Sequence, residues 1–562
     1  MKKIVITILA FSLGFAFVLK GQLKTTGSWT YEDLDDFIVQ LMTDSHIPGL
    51  SACIILGDSV VWNNNYGYMN LADSTPVHDS TLFNVFSIGK AITAASIMQL
   101  WDQQVLGLDK NINDFLPFQI INPNNNADSI SPRMLMCHSS SIKAENNVWG
   151  PVTIGDPEES LESFLENYLC SGGTYYSPAN FLYNMPGTFY SYSYYGSALN
   201  GYLVEPLTGI GFKQYAKDSL FVPLNMSSSA WFLDDLNMDN LATGYGYSGN
   251  SYLHYGHPAY PGISLRSTAL ELANFLIMLM NNGMFGGNTI LSGSAVDSMT
   301  TVQISNSGLG LSRGTGLYGD RITWGHNGGS TGGYAAHMHF CKVENSGVVI
   351  TMNLEQFSPP LVMKLFDFAA RIVIPLETTE ITETGFTLNW DSAYAAVTYH
   401  LDIATDSLFR NFLDGYENLD IGLTNSYEIG DLTQGTAYYC RLRSFDGEEP
   451  GPNSSTIYVS TLFVGMEEPA YALQSLQCFP NPVSDLLRIR YDLITSGNIN
   501  ISIYNHLGQK VGNLDEGMNP AGMHQTTMDL SHLPSGLYFL RTSTIDNRQS
   551  TIQSEVVKVI KH

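Results

Sequence analysis

TLFNVFSIGK, residues 81–90, runs directly into AITAASIMQL, residues 91–100, and this stretch suggests how the rest of the chain is built. The pattern predicts a helix that starts at Ser87, which places Ser87 and Lys90 three residues apart on one face. A serine hydroxyl is a weak nucleophile at neutral pH, and a lysine whose pKa is depressed can take its proton. The start of a helix also presents free backbone N–H groups to a developing oxyanion. Because this spacing often occurs by chance, the pair also fits an amphipathic helix with a solvated lysine.

The length and charge of the chain limit what it can be. Its 562 residues predict about three domains, and its 44% hydrophobic content is ample for packed cores. The 26 basic and 52 acidic residues give a net charge of −26, which repels nucleic acid and anionic lipid. We therefore expect no nucleic-acid partner. The six cysteines have no short paired spacing, which favours buried free thiols over a metal ribbon or a dense disulfide scaffold.

The first residues have the pattern of an export signal. A basic start, residues 1–3, precedes an apolar run over residues 4–18 that is too short to span a bilayer. We predict a cleaved signal peptide over residues 1–22. No later stretch approaches the length of a transmembrane helix, so we expect no transmembrane segment in the mature chain.

Hydrophobic patterns on both sides of Ser87 predict an α+β domain whose first and last strands share one sheet. The individual predictions are a helix over 31–42, a hairpin that turns at Gly57-Asp58, a helix over 132–136, a long loop over 146–184, a helix over 197–205, a helix from Thr268 to Met280, a glycine-rich turn over 324–329, strands over 334–341 and 347–353, and a helix over 361–374.

Four short blocks, taken together, resemble the serine β-lactamase and penicillin-binding protein superfamily, and in particular its class C β-lactamase-like esterases and peptidases. The blocks are Ile47-Pro48-Gly49, Ser87-Ile88-Gly89-Lys90, Pro186-Gly187-Thr188 with Tyr192, and His326-Asn327-Gly328. Their occurrence in this order is far more specific than any single block. The resemblance predicts a β-lactamase-like catalytic domain over residues 25–375, with an antiparallel sheet, helices packed on it and an all-helical region.

The resemblance also implies roles for particular residues. Ser87 would attack a carbonyl and carry the acyl group, with Lys90 assisting proton removal. Tyr192 would share the role of base or protonate the leaving group, and the sequence leaves open which of the two residues is the base. His326 would hydrogen-bond Tyr192 or the substrate. The backbone N–H groups of Ser87 and Gly329 would form the oxyanion hole.

The third motif and the residues after Tyr192 would contact the substrate. The resemblance assigns substrate binding to Asn327, Gly328 and Tyr194. The family pattern is Tyr-x-Asn, whereas Tyr194 stands here in place of the asparagine. A phenol lacks the paired donor and acceptor of an amide, so we expect esters to be favoured over acylated peptides and β-lactams.

Other readings of these residues remain open. Tyr192 could be part of an aromatic cluster with Tyr190, Tyr194 and Tyr195, and His326 could simply bind a loop carbonyl. Ser330 lies in a Gly-x-Ser-x-Gly sequence, but a strand is predicted after it where the nucleophile elbow requires a helix.

Metal sites at His254 with His257, or at His337 with His339, lack a convincing third ligand. We therefore expect no cofactor and no metal.

Two all-β domains are predicted after residue 375. Alternating strands with Trp390, Leu432 and Tyr438 resemble a fibronectin type III sandwich over residues 376–463. Blocks that begin at Phe479, Ile501 and Leu533 resemble the C-terminal sorting domain of type IX secretion in Bacteroidetes-like bacteria, over residues 471–562. This second resemblance implies export by the type IX machinery and release from the cell or attachment to its surface.

Together these features predict an exported serine hydrolase that forms an acyl-enzyme on Ser87 and favours esters. A small ester, peptide or β-lactam would be its substrate. The alternatives are a DD-peptidase, D-aminopeptidase or β-lactamase within enzymes, and a catalytically silent surface-binding protein outside them.

Overall fold

The computed structural model describes eleven segments of the chain: 29–126, 129–143, 152–316, 318–330, 332–356, 358–463, 473–494, 496–505, 509–534, 536–545 and 551–561. The predicted signal peptide lies outside these residues. No helix in the described segments is both long enough and apolar enough to cross a membrane.

A seven-stranded antiparallel sheet is the centre of the first part of the chain. Its strands run in the order β10-β11-β12-β13-β1-β2-β3. The strands up to residue 375 are β1 Gly49–Leu56, β2 Ser59–Asn70, β3 Thr75–Pro76, β4 Phe83–Phe86, β5 Thr153–Ile154, β6 Tyr255–Gly256, β7 Leu265–Ser267, β8 Met284–Phe285, β9 Asn288–Thr289, β10 Ser312–Thr315, β11 Ile322–Ser330, β12 Tyr334–Cys341, β13 Ser346–Met352 and β14 Ile374–Pro375. Since β1 pairs with β13, the prediction that the first and last strands share a sheet is confirmed.

Eleven α-helices are found in the described residues. They are α1 Tyr31–Ser45, α2 Gly89–Asp102, α3 Pro132–Met136, α4 Leu161–Leu169, α5 Tyr194–Tyr202, α6 Val204–Thr208, α7 Phe212–Ala216, α8 Tyr260–Ile263, α9 Ala269–Met280, α10 Gly293–Met299 and α11 Pro359–Ala369.

Both faces of the sheet are buried, as β1 shows most clearly. Its side chains alternate: Leu50 and Ile54 join one apolar cluster with α1 and α11, whereas Cys53 and Ile55 join another with α2 and α9. Every residue of α2 from Gly89 to Leu100 is buried. An amphipathic surface helix with a solvated lysine is therefore ruled out at this position.

Several predicted elements are confirmed, and others are wrong for identifiable reasons. The hairpin, α1, α3, α9 and the strands β12 and β13 are present. The predicted loop over 146–184 contains α4, whose Ser160 cap and apolar residues at helical spacing are visible in the sequence. The predicted turn over 324–329 is instead part of the strand β11, in which the glycines allow close approach of a neighbouring backbone. The predicted helix over 197–205 is divided between α5 and α6, and that over 361–374 ends at Ala369.

The remaining strands form four small sheets. The strands are β15 Phe386–Asp391, β16 Thr398–Ala404, β17 Leu419–Asp420, β18 Ser426–Ile429, β19 Ala437–Phe445, β20 Ile457–Ser460, β21 Leu473–Phe479, β22 Leu486–Leu493, β23 Gly497–Asn505, β24 Lys510–Asn519, β25 Gly522–Asp529, β26 Gly536–Ile545 and β27 Thr551–Lys561. The sheet orders are β14-β15-β18, β17-β16-β19-β20, β21-β22-β25 and β24-β23-β26-β27. This all-β C-terminal region was predicted, while the fibronectin type III assignment stays a prediction.

The chain folds as two compact units. The first holds the described residues up to Thr379 together with Thr387–Glu428 and Tyr438–Val459, and the second holds Glu380–Phe386, Ile429–Ala437 and the described residues from Ser460 onward. The domain boundaries given above at residues 375, 463 and 471 stay predictions. All six cysteines are free thiols.

Candidate active site

Ser87 lies in the turn between β4 and α2, so the predicted helix start at Ser87 is wrong by two residues. Helix α2 begins at Gly89, and the Lys90 N–H donates to the Ser87 carbonyl oxygen at 3.1 Å, which closes a tight first turn. Phe86, just before the serine, has a φ of 43°, a left-handed conformation that is rare for a bulky residue. Such backbone strain is concentrated at functional sites, where the surrounding structure enforces it.

Two side chains meet the Ser87 hydroxyl. The Lys90 Nζ lies 2.9 Å from Ser87 Oγ, and the Tyr192 hydroxyl donates to the same oxygen at 2.8 Å. The Lys90 ammonium also lies 4.9 Å from the centre of the Tyr192 ring. The structure therefore brings together three of the residues that the sequence singled out.

Lys90 is a buried cation without a carboxylate beside it in the segments that the structure describes. Its side chain is 2% exposed, and its second hydrogen bond goes to the Gly262 carbonyl oxygen at 2.6 Å. None of the ion pairs in the described part of the chain includes Lys90. Burial lowers the pKa of Lys90 well below its usual value, because desolvation penalises the ammonium. The amine can therefore be neutral at a much lower pH than a surface lysine.

Burial shifts the pKa of Tyr192 in the opposite direction from that of Lys90. Its side chain is 37% exposed, but its hydroxyl lies at Ser87 and desolvation raises the pKa of Tyr192 above the usual value. The hydrogen bond to Ser87 only partly offsets this effect. Tyr192 is therefore a protonated phenol near neutral pH, and a donor at this position.

His326 presents one ring nitrogen as an acceptor. Its Nδ1 lies 2.6 Å from the Asn327 carbonyl oxygen, which can only accept, so Nδ1 carries the proton and Nε2 does not. Burial and the nearby Lys90 charge lower the pKa of His326 to about 4. Its ring centre is 6.2 Å from that of Tyr192.

The Asn327 side chain is held by two histidines. The Ser358 N–H donates to His337 Nε2 at 3.2 Å, so His337 Nδ1 carries a proton and donates to Asn327 Oδ1 at 2.9 Å. The His339 Nε2 lies 2.6 Å from the same oxygen. Since the amide oxygen is occupied in this way, the amide nitrogen is the donor that Asn327 can offer to a ligand.

The two glycines after Asn327 have different surroundings. A Cβ added to Gly328 would lie 2.0 Å from the Val85 carbonyl oxygen, so only glycine lets β11 contact β4 just before Ser87. Gly329 lines the cavity at Ser87. Gly328, to which the resemblance assigned substrate binding, therefore serves the approach of two strands, and Gly329 is the glycine that lines the cavity.

The cavity at Ser87 has a volume of about 370 Å³. Five residues singled out from the sequence line it, namely Ser87, Tyr192, His326, Asn327 and Gly329. Sequence reasoning missed Arg313 and Tyr318, and it considered His339 only as a metal ligand. Arg313 lies on the edge strand β10, and no ion pair among the described residues includes it. Because ion pairing is a property of the fold, no local sequence pattern marks Arg313.

Tyr194 is not among the cavity-lining residues. It is the first residue of α5, and its ring packs edge-on against Tyr195 with centres 4.5 Å apart. The place where the family pattern has an asparagine is therefore occupied by an aromatic side chain that packs on the core.

The nucleophile-elbow motif at Ser330 and the histidine pair considered for a metal do not have the surroundings that those functions require. Ser330 is the last residue of β11 and pairs with Tyr334 of the next strand, so a strand and not a helix follows it. His337 and His339 both bind the Asn327 oxygen. Within the described segments, no group of three His, Cys, Asp or Glu side chains is placed to hold a metal ion.

In this α+β domain a buried lysine and a tyrosine both contact one serine hydroxyl beside a cavity. This arrangement is typical of a serine hydrolase. Residues 34–367, more than half of the chain, match the family model described as Beta-lactamase. The chain therefore belongs to the Beta-lactamase family, whose members are serine hydrolases. Residues 477–558 match the Secretion system C-terminal sorting domain, which confirms the predicted sorting domain and indicates a secreted or cell-surface protein.

Individual relatives are distant. The chain is 24% identical over 380 residues to "Beta-lactamase-like protein 2" of Dictyostelium discoideum, a match that covers 63% of this chain and 64% of the relative. It is 23% identical over 220 residues to "Protein flp" of Staphylococcus aureus, covering 39% and 42% respectively. The match thus spans about two-fifths to two-thirds of the length of these curated relatives. Among solved structures, the octameric penicillin-binding protein homologue from Pyrococcus abyssi is similar at a TM-score of 0.49 and 18% identity, covering 82% of this chain and 97% of that one.

Proposed function

We propose that this protein is an exported serine hydrolase that forms an acyl-enzyme on Ser87. The observation that carries the proposal is the pair of contacts at the Ser87 oxygen, 2.9 Å to Lys90 Nζ and 2.8 Å to the Tyr192 hydroxyl. A nucleophile within hydrogen-bond reach of a base is the arrangement that covalent catalysis requires.

Lys90 is the general base in this proposal. The neutral amine takes the proton of Ser87 as the serine oxygen bonds to the substrate carbonyl carbon, and the carbonyl electron pair moves onto its oxygen. Lys90 suits this step because burial lowers its pKa, whereas burial raises the pKa of Tyr192.

As the bond between the carbonyl carbon and the leaving group breaks, Tyr192 donates its proton to the leaving group and takes up the proton that Lys90 received from Ser87. Water then attacks the acyl carbon, gives a proton to Lys90 and releases the acid as the bond to Ser87 Oγ breaks and that oxygen regains a proton. His326 accepts a hydrogen bond from the substrate through its unprotonated Nε2. The backbone N–H groups of Ser87 and Gly329 stabilise the oxyanion, and the loss of one such donor costs about 10²–10³ in rate.

Esters are the proposed substrates. Amide and β-lactam recognition in this family relies on the asparagine of Tyr-x-Asn, and Tyr194 packs against Tyr195 in its place. The site therefore lacks the paired amide donor and acceptor at that position, a lack that affects acylamino substrates more than simple esters.

The cavity lining also favours a second candidate, a peptidase or β-lactamase whose substrate carries a carboxylate. Arg313 lines the cavity, and the Asn327 amide nitrogen is the donor left on its side chain. A guanidinium and an amide N–H together suit a carboxylate.

Labelling by a fluorophosphonate probe tests whether Ser87 is a nucleophile, as both candidate functions require. Ser87→Ala should abolish labelling, and Ser330→Ala should leave it intact. The absence of labelling by fluorophosphonate or by penicillin, together with tight binding to a glycan or protein, would favour a catalytically silent surface-binding protein.

Substrate comparison separates the two candidates. We expect p-nitrophenyl butyrate to be turned over faster than nitrocefin or D-alanyl peptides, and Tyr194→Asn to shift the preference toward amides. Arg313→Gln should leave butyrate turnover unchanged in either case. If the carboxylate-bearing substrates are preferred and Arg313→Gln removes that preference, the second candidate is correct.

The rest of the chain would serve export and placement. The type IX secretion machinery is the proposed partner of the sorting domain, and the fibronectin type III-like module is proposed as a spacer or adhesion unit.

A further inference from the structure

His138 lies just after α3, next to the active site, and nothing in the sequence reasoning singled it out. Its side chain is 5% exposed, and its backbone has a φ of 61°. Histidine tolerates this left-handed conformation better than most residues, although it remains uncommon. A histidine that is both buried and left-handed in a turn is held there by specific contacts.

His138 hydrogen-bonds the residues on both sides of Tyr192 in the sequence. The Ser191 N–H donates to the His138 carbonyl oxygen at 2.7 Å, and the Ser193 N–H donates to His138 Nδ1 at 3.3 Å. Ser191 and Ser193 are the two neighbours of Tyr192 in the sequence. The ring centres of His138 and Tyr192 are 4.5 Å apart.

The protonation state of His138 agrees with these contacts. Since Nδ1 accepts a hydrogen bond, the ring must be neutral with its proton on Nε2. Burial lowers the pKa of His138 well below its usual value, because desolvation penalises the imidazolium. The acceptor is therefore present throughout the neutral pH range.

Tyr192 lies in a segment without regular secondary structure, so its position depends on contacts with other parts of the fold. The residues from 182 to 193 have no helix or strand, and the tyrosine side chain is 37% exposed. Regular backbone hydrogen bonds begin at Ser193, the N-cap of α5, whose carbonyl oxygen accepts from the Ser197 N–H at 3.3 Å and whose Oγ accepts from the Gly196 N–H at 2.9 Å. The α5 cap therefore holds only the C-terminal neighbour of Tyr192, whereas the His138 contacts reach both neighbours.

We propose that His138 is a positioning residue that holds the Tyr192 hydroxyl on Ser87. The catalytic consequence rests on the proposed function, whereas the positioning itself does not. A displacement of about 1 Å in a catalytic group can lower the rate about 10²-fold, so a side chain that touches no substrate can still control turnover.

Two substitutions separate the side-chain acceptor from the backbone conformation. His138→Asn places Oδ1 where Nδ1 stands and suits the left-handed backbone. His138→Gly adopts the same φ without strain but removes both the acceptor and the ring. We expect His138→Gly to lower kcat at least about tenfold with KM within about threefold, and His138→Asn to stay within about threefold of the wild type.

His257 provides the matched control. It is also buried, at 1% exposure, its Nδ1 accepts the Ala259 N–H at 2.8 Å, and its ring lies 5.8 Å from that of Tyr195. His257→Gly should lower the thermal midpoint as His138→Gly does, without the same loss of kcat. An equal loss of kcat in both variants would mean that His138 acts only through stability.

A crystal structure of His138→Gly gives a readout independent of activity. We expect the Tyr192 hydroxyl to lie beyond hydrogen-bond distance of Ser87 Oγ in the variant and within it in the wild type. A tyrosine that stays in place would overturn the inference. If Ser87 proves inert to every probe, the proposed function fails, while the position of Tyr192 in this variant still decides whether His138 holds it.

Discussion

Two cations in the first unit of this molecule, one buried and one partly buried, have opposite surroundings. Lys90 has no carboxylate partner among the described residues, binds the Ser87 hydroxyl and the Gly262 carbonyl oxygen, and has a lowered pKa. Arg321, which is 17% exposed, contacts Glu344 and Asp367 at 2.6 Å each, and these carboxylates raise its pKa. Burial destabilises the charge of Lys90, where we propose that a proton is moved, whereas two carboxylates stabilise the charge of Arg321.

Substitution of Lys90 should give the largest effect. Lys90→Met removes the base, and Lys90→Arg keeps a cation that cannot be deprotonated, so we expect both to lower kcat/KM by about 10³-fold or more. Steady-state ester hydrolysis measures this loss. Because Lys90 is an unpaired buried charge, Lys90→Met should not lower the thermal midpoint. Full activity in Lys90→Arg would mean that the site needs only a positive charge.

Tyr192→Phe should have the next largest effect. It removes the hydroxyl that donates to Ser87 at 2.8 Å but keeps the ring, so kcat should fall by about 10²-fold while folding is unchanged. Single-turnover and steady-state kinetics on one ester would show which step is slowed. A rate within twofold of the wild type would exclude Tyr192 as a proton donor.

Arg321→Met is the counterpart of Lys90→Met at the ion-paired cation, and it should have the smallest effect on turnover. It leaves Glu344, whose side chain is 4% exposed, as a buried carboxylate without its cation, so the free energy of unfolding should fall by about 2–4 kcal/mol. Asp367 adds little to this loss, because it is more exposed and can be rehydrated. We expect a lower thermal midpoint and a kcat close to the wild-type value. If Lys90→Met and Arg321→Met changed activity and stability in the same proportions, the contrast between the two cations would be wrong.

The sequence predicted the parts of the site that lie in short motifs. Ser87, Lys90, Tyr192 and His326 could be singled out because their chemistry and spacing are local, and they meet in the structure within one site. The edges of elements were harder to predict. The helix was expected to start at Ser87, but the left-handed Phe86 and a tight turn delay it to Gly89.

The parts of the site that were missed depend on distant segments. Gly262 offers a backbone carbonyl, which no side-chain pattern reveals. His138 contributes through one ring nitrogen and a positive φ, and its partners are about fifty residues away in the chain. The strand β11 was predicted as a turn because its glycines obscure the alternation, although Gly328 is required for the contact with Val85.

The most direct test of the central claim is the rate of Ser87 phosphonylation as a function of pH, with the adduct located by peptide mapping. A base must be neutral to act, so the rate should rise with pH through the lowered pKa of Lys90. The account predicts an adduct on Ser87 and a midpoint well below 10.5, the usual lysine value. A midpoint near that value, or an adduct on another residue, would contradict it.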